Sequence, residues 1–150
     1  MSEPLSLRVR KLRADAILPR RQHPGDAGVD LVAVEAAELA PAGGRATIGT
    51  GIAVEIPDGW VGLVCPRSGL AARHGIGVVN GPGIIDSGYR GEVQVVLNNS
   101  DPHAAFQIAP GDRIAQLVLT PTLLADVVEV TELSMADRNA EGFGSTGGFG

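Results

Sequence analysis

Along this chain apolar residues recur with the two-residue period of a strand more often than with the spacing of a helix. Residues 93–97 show it most clearly. Val93, Val95 and Leu97 alternate with Gln94 and Val96, and the β-branched content predicts a buried strand. Leu5-Ser6-Leu7-Arg8-Val9-Arg10 alternates in the same way and predicts a first strand with one wet face, the kind found at a sheet edge. Further strands are expected over 30–34, 46–56, 61–65 and 113–119, and residues 123–130 carry enough β-branched side chains to predict a last core strand.

Turn signals punctuate these runs. Residues 39–44, with Pro41, Gly43 and Gly44, predict a turn, as do Pro57-Asp58-Gly59 ahead of Trp60 and Pro110-Gly111-Asp112 ahead of the strand that begins near Arg113. Trp60 is expected at the rim of the core. One short helix is expected between Pro66 and Gly75, with Ser68 capping backbone amides at its start and Gly75 closing it.

Composition sharpens the class. With 21 glycines and 10 prolines spread through 150 residues, few intervals are left for a long helix, so the chain reads as one all-β domain. Aromatics make up only 3%, which makes the core aliphatic. The formal charge of -5 argues against a surface built for nucleic acid or anionic membrane, and any anionic ligand must be met by local arginines. No apolar run approaches the roughly 18 residues of a membrane span, and the charged N-terminus does not look like a signal peptide, so a cytoplasmic protein is expected. The single cysteine, Cys65, excludes an internal disulfide and a cysteine-cluster metal site, and its apolar neighbours read as an inert strand setting.

Candidate chemistry lies mostly between the strands. Asp86 and Tyr89 stand between Gly83 and Gly91 on a loop feeding the strand of residues 93–97, where a rigid scaffold can hold them against a ligand; an ordinary turn explains the same residues. Arg67 brings a planar fork to the helix start, and with Ser68 and Gly69 it makes a candidate phosphate cradle. Asn80 can donate and accept at a nucleobase edge, or simply form the turn before Gly81. Asp30 opens an apolar strand and needs a partner, local or functional, while Gln116 is the lone polar side chain of its run. Arg20, Arg21 and His23 read as loose surface charge, and His74 as a residue favourable with the helix dipole. From residue 137 onward core periodicity stops. That tail is either a disordered strip or a lid, for it carries Arg138, Phe143, Ser145, Thr146 and abundant glycine amides.

Taken in order, the stretches Ala27-Gly28-Val29-Asp30-Leu31, Pro66-Arg67-Ser68-Gly69-Leu70, Gly83 through Gly91, Gly111-Asp112-Arg113-Ile114-Ala115-Gln116, and Arg138 with Gly142-Phe143-Gly144-Ser145-Thr146-Gly147 closely resemble the trimeric dUTP diphosphatases, the dUTPase family. The resemblance covers nearly the whole chain. It implies a distorted jelly-roll-like β-barrel subunit over residues 1–136, a flexible glycine-rich arm over 137–150, and a homotrimer whose active sites are shared between chains. By similarity Asp86 activates the water that attacks the α-phosphorus of dUTP, which removes dUTP and supplies dUMP for thymidylate synthesis. Tyr89 packs against the deoxyribose, Asn80 with the backbone of Ile84 and Ile85 reads the uracil and holds the sugar, and Arg67, Ser68, Gly69 and Gln116 hold the phosphates. Arg138, Ser145 and Thr146 take the γ-phosphate and Phe143 covers the base. Mg²⁺ is expected to ride on the phosphates and to meet Asp30 only through water. The family's arm usually has more glycine than Asn139-Ala140-Glu141, and Glu141 would repel a triphosphate unless turned outward.

Two rivals share part of this pattern. In the dCTP deaminases, which resemble the first half of the site, a glutamate serves the deamination from a position that aligns here with Val96. A non-catalytic nucleotide-binding trimer would keep the fold without the chemistry, but the presence of Asp86, Tyr89 and the tail argues against it.

Overall fold

The computed structural model describes residues 5–142. Its strands are β1 (Arg8–Lys11), β2 (Gly28–Val32), β3 (Ala37–Leu39), β4 (Arg45–Glu55), β5 (Trp60–Cys65), β6 (Ile76–Val78), β7 (Gly83–Ile85), β8 (Glu92–Asn99), β9 (Phe106–Ile108) and β10 (Arg113–Pro121), with one helix, α1 (Ser68–His74), between β5 and β6. They form two four-stranded sheets, β1-β4-β8-β6 and β2-β10-β5-β7, and a small β3-β9 pair. The strand pairs are antiparallel throughout. This is the all-β architecture that the period-two patterning and the glycine and proline content predict, with the jelly-roll-like form that the resemblance implies.

The core is aliphatic, as the low aromatic content requires. Leu31, Leu39, Ile48, Ile52, Leu97, Ile114 and Leu117 are fully buried, each stabilising the fold by about 1.5–3 kcal/mol relative to exposure. On β8 the alternation is literal, with Val93, Val95, Leu97 and Asn99 buried and Gln94 outside. Trp60 is half-buried and packs against this core. Asn99 is the one side chain of that row with polar needs, and they are met: Nδ2 donates to Leu39 O (3.1 Å) and Ala104 O (2.8 Å), and Oδ1 accepts from Asp101 N–H. A leucine there would leave three backbone groups without this partner, the buried Leu39 O at a cost of about 1–3 kcal/mol.

The long β4 breaks register between Gly49 and Ala53. The amides freed there are taken up by carboxylates, since Gly49 N–H donates to Glu35 Oε1 (2.9 Å) and Gly51 N–H to Glu92 Oε1 (2.8 Å). Gly51 has φ +66°, and a Cβ on it would press on Ala16 and Val34, so glycine is required at this bulge.

The structure corrects the sequence reading in places. Residues 123–130 form no strand: β10 ends at Pro121, and Leu123 and Val127 are 96% and 101% exposed. Their β-branched content is real, but one chain offers them no neighbouring surface. Leu39 belongs to β3 rather than to a turn, and β6 and β9, three residues each, were too short to show a period. Ser68 is the first helical residue, not the cap; Arg67 occupies the cap with extended backbone and no side-chain capping bond. Gly75 does close α1 in the left-handed conformation, and the neighbouring His74 ring lies 5.1 Å from that of Phe106.

Candidate active site

Most of the described candidate residues fall into two pockets that share no lining residue on the single chain, while Asp86 and Arg138 line neither. The first has a volume of about 270 Å³ and lies where β7 meets β8. Antiparallel pairing of β7 with β5 sets Gly83 opposite Val64 and Ile84 opposite Leu63. Ile85 turns inward, whereas Ile84 stays exposed and lines the pocket. Asn80 reaches over Gly83, where an added Cβ would lie 3.2 Å from Asn80 Nδ2.

Tyr89 closes this pocket from the loop between β7 and β8. Its N–H donates to Asp86 O (3.1 Å) and its hydroxyl to Glu92 O (3.0 Å). The ring lies across Gly91, and a Cβ there would collide with the phenol. Asp86 sits at the foot of the same turn, exposed, and among the described residues its carboxylate has no hydrogen-bond donor or cationic partner. A free carboxylate held by a short turn next to an apolar slot can accept a proton from water.

The second pocket is larger, about 530 Å³, and polar. Sheet register creates it: Gln116 pairs with Asp30 on one side and with Cys65 on the other, so β2, β10 and β5 present three side chains in one row. Asp30, only 13% exposed, lies 3.2 Å from Arg113 Nη1 and 3.7 Å from Arg67 Nε. Arg67 is held in turn by donation from Nη1 to Arg113 O (2.9 Å). Gln116 Nε2 donates to Pro66 O (3.0 Å), and its side chain lies so close to Gly28 that a Cβ there would collide with Oε1. Ser68 and Gly69 are exposed at the mouth, at the start of α1. Asp30 thus has its partners in the arginines; it does not cap local amides.

Arg138 lies in a turn near the end of the described chain, with Nε donating to Glu141 O (2.8 Å), and in contact with neither pocket. Phe143, Ser145 and Thr146 lie outside the described residues. Two residues of the second pocket escaped the sequence reading. Arg113 stood inside a quoted stretch, and a cation beginning a strand beside a buried acid was the available signal. Gln22 gave none, since only the folded loop brings it to Asp30, its Nε2 2.8 Å from Oδ2. Cys65 lies on β5 as expected but also lines this pocket.

Among the described residues no three or more His, Cys, Asp or Glu side chains are grouped to hold a metal ion, and no helix is long and apolar enough to cross a membrane.

Comparison with known proteins gives one answer. The family model for dUTPase matches residues 14–147. The chain is 57% identical over 140 residues to the deoxyuridine 5'-triphosphate nucleotidohydrolase of Thermobifida fusca, covering 93% of this chain and 78% of that protein. It is 51% identical over 147 residues to the protein of that name from Corynebacterium glutamicum, covering 98% of each. Among solved structures it is similar to a mutant Staphylococcus bacteriophage 80alpha dUTPase with dUpNHpp (TM-score 0.86, 30% identity, 95% of this chain and 98% of that one). It is also similar to a mutant dUTPase from phage phi11 of S. aureus described for its coordination of a structural Mg(II) ion (TM-score 0.79, 31% identity, 85% and 98%). With the family model spanning residues 14–147 and relatives 51–57% identical over nearly the whole chain, the chain belongs to the dUTPase family.

Proposed function

We propose that this chain hydrolyses dUTP to dUMP and pyrophosphate, in active sites that subunits of a homotrimer build together. The observation that carries the shared site is the separation of the two pockets. An exposed Asp86, unpaired among the described residues, stands by an apolar slot fit for a base and sugar, and the arginines and glutamine fit for phosphates line a different pocket. Neither is a complete site. The exposed apolar side chains of the segment after β10, Leu123, Leu124, Val127, Val128, Leu133 and Met135, also call for a neighbouring surface.

In this reading residues 1–136 are the body and 137–150 an arm closing over another subunit's site. The uracil enters the first pocket against Asn80 and the backbone of Ile84 and Ile85, with Tyr89 under the deoxyribose. Arg67, Gln116 and the amides of Ser68 and Gly69 hold the phosphates, and the arm adds Arg138, Ser145, Thr146 and a stacking Phe143. Glu141 follows Arg138 in its turn, its N–H donating to Arg138 O (3.0 Å), and its side chain is exposed. Asp86 accepts a proton from a water molecule whose oxygen forms a bond to the α-phosphorus as the bond to the bridging oxygen breaks, so that pyrophosphate leaves. Positioning and charge neutralisation supply most of the acceleration in such transfers.

Magnesium fits this site as a cation carried by the nucleotide. The carboxylates facing the second pocket are Asp26 and Asp30, and Asp30 is already engaged by Gln22 and the arginines, so Mg²⁺ held by phosphates and water would meet it through water. When bound, the ion neutralises phosphate charge and orients the chain of phosphates. The substrate is a soluble nucleotide, which suits a cytoplasmic location. A deaminase reading is disfavoured because Val96, where that chemistry needs a glutamate, is an aliphatic residue at the first pocket.

Pyrophosphate release from dUTP, compared with UTP, dTTP and dCTP, tests the activity; equal rates with UTP would overturn it. Mixing tests the shared site. A chain lacking residues 137–150 and a full-length Asp86→Asn chain should each be inactive and regain activity when unfolded and refolded together. Mixed trimers as inactive as both parents would place the arm and Asp86 of each site on one chain.

A further inference from the structure

The loop of residues 20–27 enters the phosphate pocket through one long side chain, Gln22, whose Nε2 donates to Asp30 Oδ2 at 2.8 Å. That oxygen also faces Arg113 Nη1 at 3.2 Å, and Oδ1 lies 3.7 Å from Arg67 Nε. The loop holds Gln22 there by bonds of its own. Asp30 N–H donates to Arg20 O (2.8 Å), pinning the loop's start against β2. His23 N–H donates to Asp26 Oδ2 (2.9 Å) and Arg21 Nε to Asp26 O (2.8 Å), closing the turn.

Three donors therefore compete for one largely buried carboxylate, and the competition decides how much guanidinium is left for a ligand. Without Gln22, Oδ2 would face Arg113 alone and the pair could close into the bidentate fork that arginine and carboxylate prefer. A guanidinium locked in that fork offers fewer N–H groups to a phosphate. Gln22 takes a share of Asp30 from the arginines without adding charge, in a pocket whose charged side chains, Asp26, Asp30, Arg67 and Arg113, already balance. We infer that Gln22 is a positioning residue: by sharing Asp30 it keeps Arg67 and Arg113 available to the triphosphate. It lies outside the stretches that carry the family resemblance. The inference rests on the dUTP reading above.

The test uses the full-length protein and dUpNHpp, in which an imido group replaces the α,β-bridging oxygen. Binding is followed by calorimetry, alongside kcat and KM for dUTP. Gln22→Met keeps the length and loses the donor; Gln22→Ala loses both; Gln22→Glu sets a second carboxylate against Asp30. Met and Ala variants should bind about three- to tenfold more weakly, the scale of one net hydrogen bond, with kcat within about twofold of the unmodified protein. The Glu variant should be weaker than either. Melting temperatures close to that of the unmodified protein would show that the loop still folds. Unchanged binding by Gln22→Met, or a fall in kcat at unchanged affinity, would overturn the positioning role. Failure of the unmodified protein to bind dUpNHpp would overturn the dUTP reading itself, and this inference with it.

Discussion

The first pocket is made mostly by backbone and the second mostly by side chains. Around Asn80, Ile84 and Tyr89 the walls are strands, β7 hydrogen-bonded to β5 in one sheet and β8 held between β4 and β6 in the other, and glycines at 83 and 91 give the two polar side chains their room. Around Asp30 the walls are Gln22, Arg67, Arg113 and Gln116, drawn from the loop before β2, the cap of α1 and the strand β10, and held by hydrogen bonds among these segments. Strand walls resist deformation, which suits the base-and-sugar slot of the proposed function, where a methyl or a hydroxyl group would have to be refused. Side-chain networks give way more easily and carry charge, which suits flexible phosphates that need donors more than shape.

The largest expected effect removes the chemistry and leaves both pockets standing. Asp86→Asn changes one exposed side chain without a partner among the described residues, so fold and dUpNHpp affinity should hold while turnover drops by about a hundredfold or more, the usual size for a lost general base. Turnover near that of the unmodified protein would refute the assignment, and a parallel loss of affinity would mean that Asp86 belongs to the binding surface.

A pair of alanines separates the pockets at the next scale. Neither Gly28 nor Gly91 has a left-handed backbone, so alanine is tolerated there except for what its Cβ meets: Gln116 Oε1 at position 28 and the Tyr89 phenol at position 91. Gly28→Ala should displace Gln116 and raise KM by about tenfold for dUTP and UTP alike, because phosphates are common to both. In the proposed reading Tyr89 lies under the deoxyribose and leaves no room for a 2'-hydroxyl, so Gly91→Ala, which moves the ring, should instead lower the preference for dUTP over UTP by about tenfold. If both variants produced the same kinetic change, the division of labour between the pockets would be wrong.

How each pocket is built also explains how much of it can be read from sequence. The first is nearly contiguous, with Asn80, Gly83, Asp86, Tyr89 and Gly91 running straight into the alternation of β8, so that turn and strand announce each other. The second is assembled by register. Asp30, Cys65 and Gln116 share a row only because β10 lies between β2 and β5, and nothing local to Gln22 or Arg113 says that Asp30 is within reach. Long strands such as β4 and β8 were legible for the same reason of repetition, whereas β6 and β9 were too short to repeat. Residues 123–130 misled because a strand-like pattern reports an apolar face and says nothing of which chain covers it.

The smallest expected effect bears on how firmly the first pocket's wall is held. Tyr89→Phe keeps the ring and removes one hydroxyl, whose bond to Glu92 O (3.0 Å) is exposed and links the ring to the first residue of β8. Such a bond contributes about 0.5–1.5 kcal/mol. If the hydroxyl only anchors the ring, the ratio of kcat/KM for dUTP to that for UTP should fall by no more than about fivefold, with KM for dUTP nearly unchanged, since Gly91 still leaves room for the ring in place. Parallel assays of Tyr89→Phe and Gly91→Ala separate anchoring from contact. A small loss in the first beside a large one in the second means that the ring's position carries the selectivity. A loss in Tyr89→Phe as large as in Gly91→Ala would show that the hydroxyl itself meets the nucleotide, and the first pocket would then depend on a side-chain bond as much as the second does.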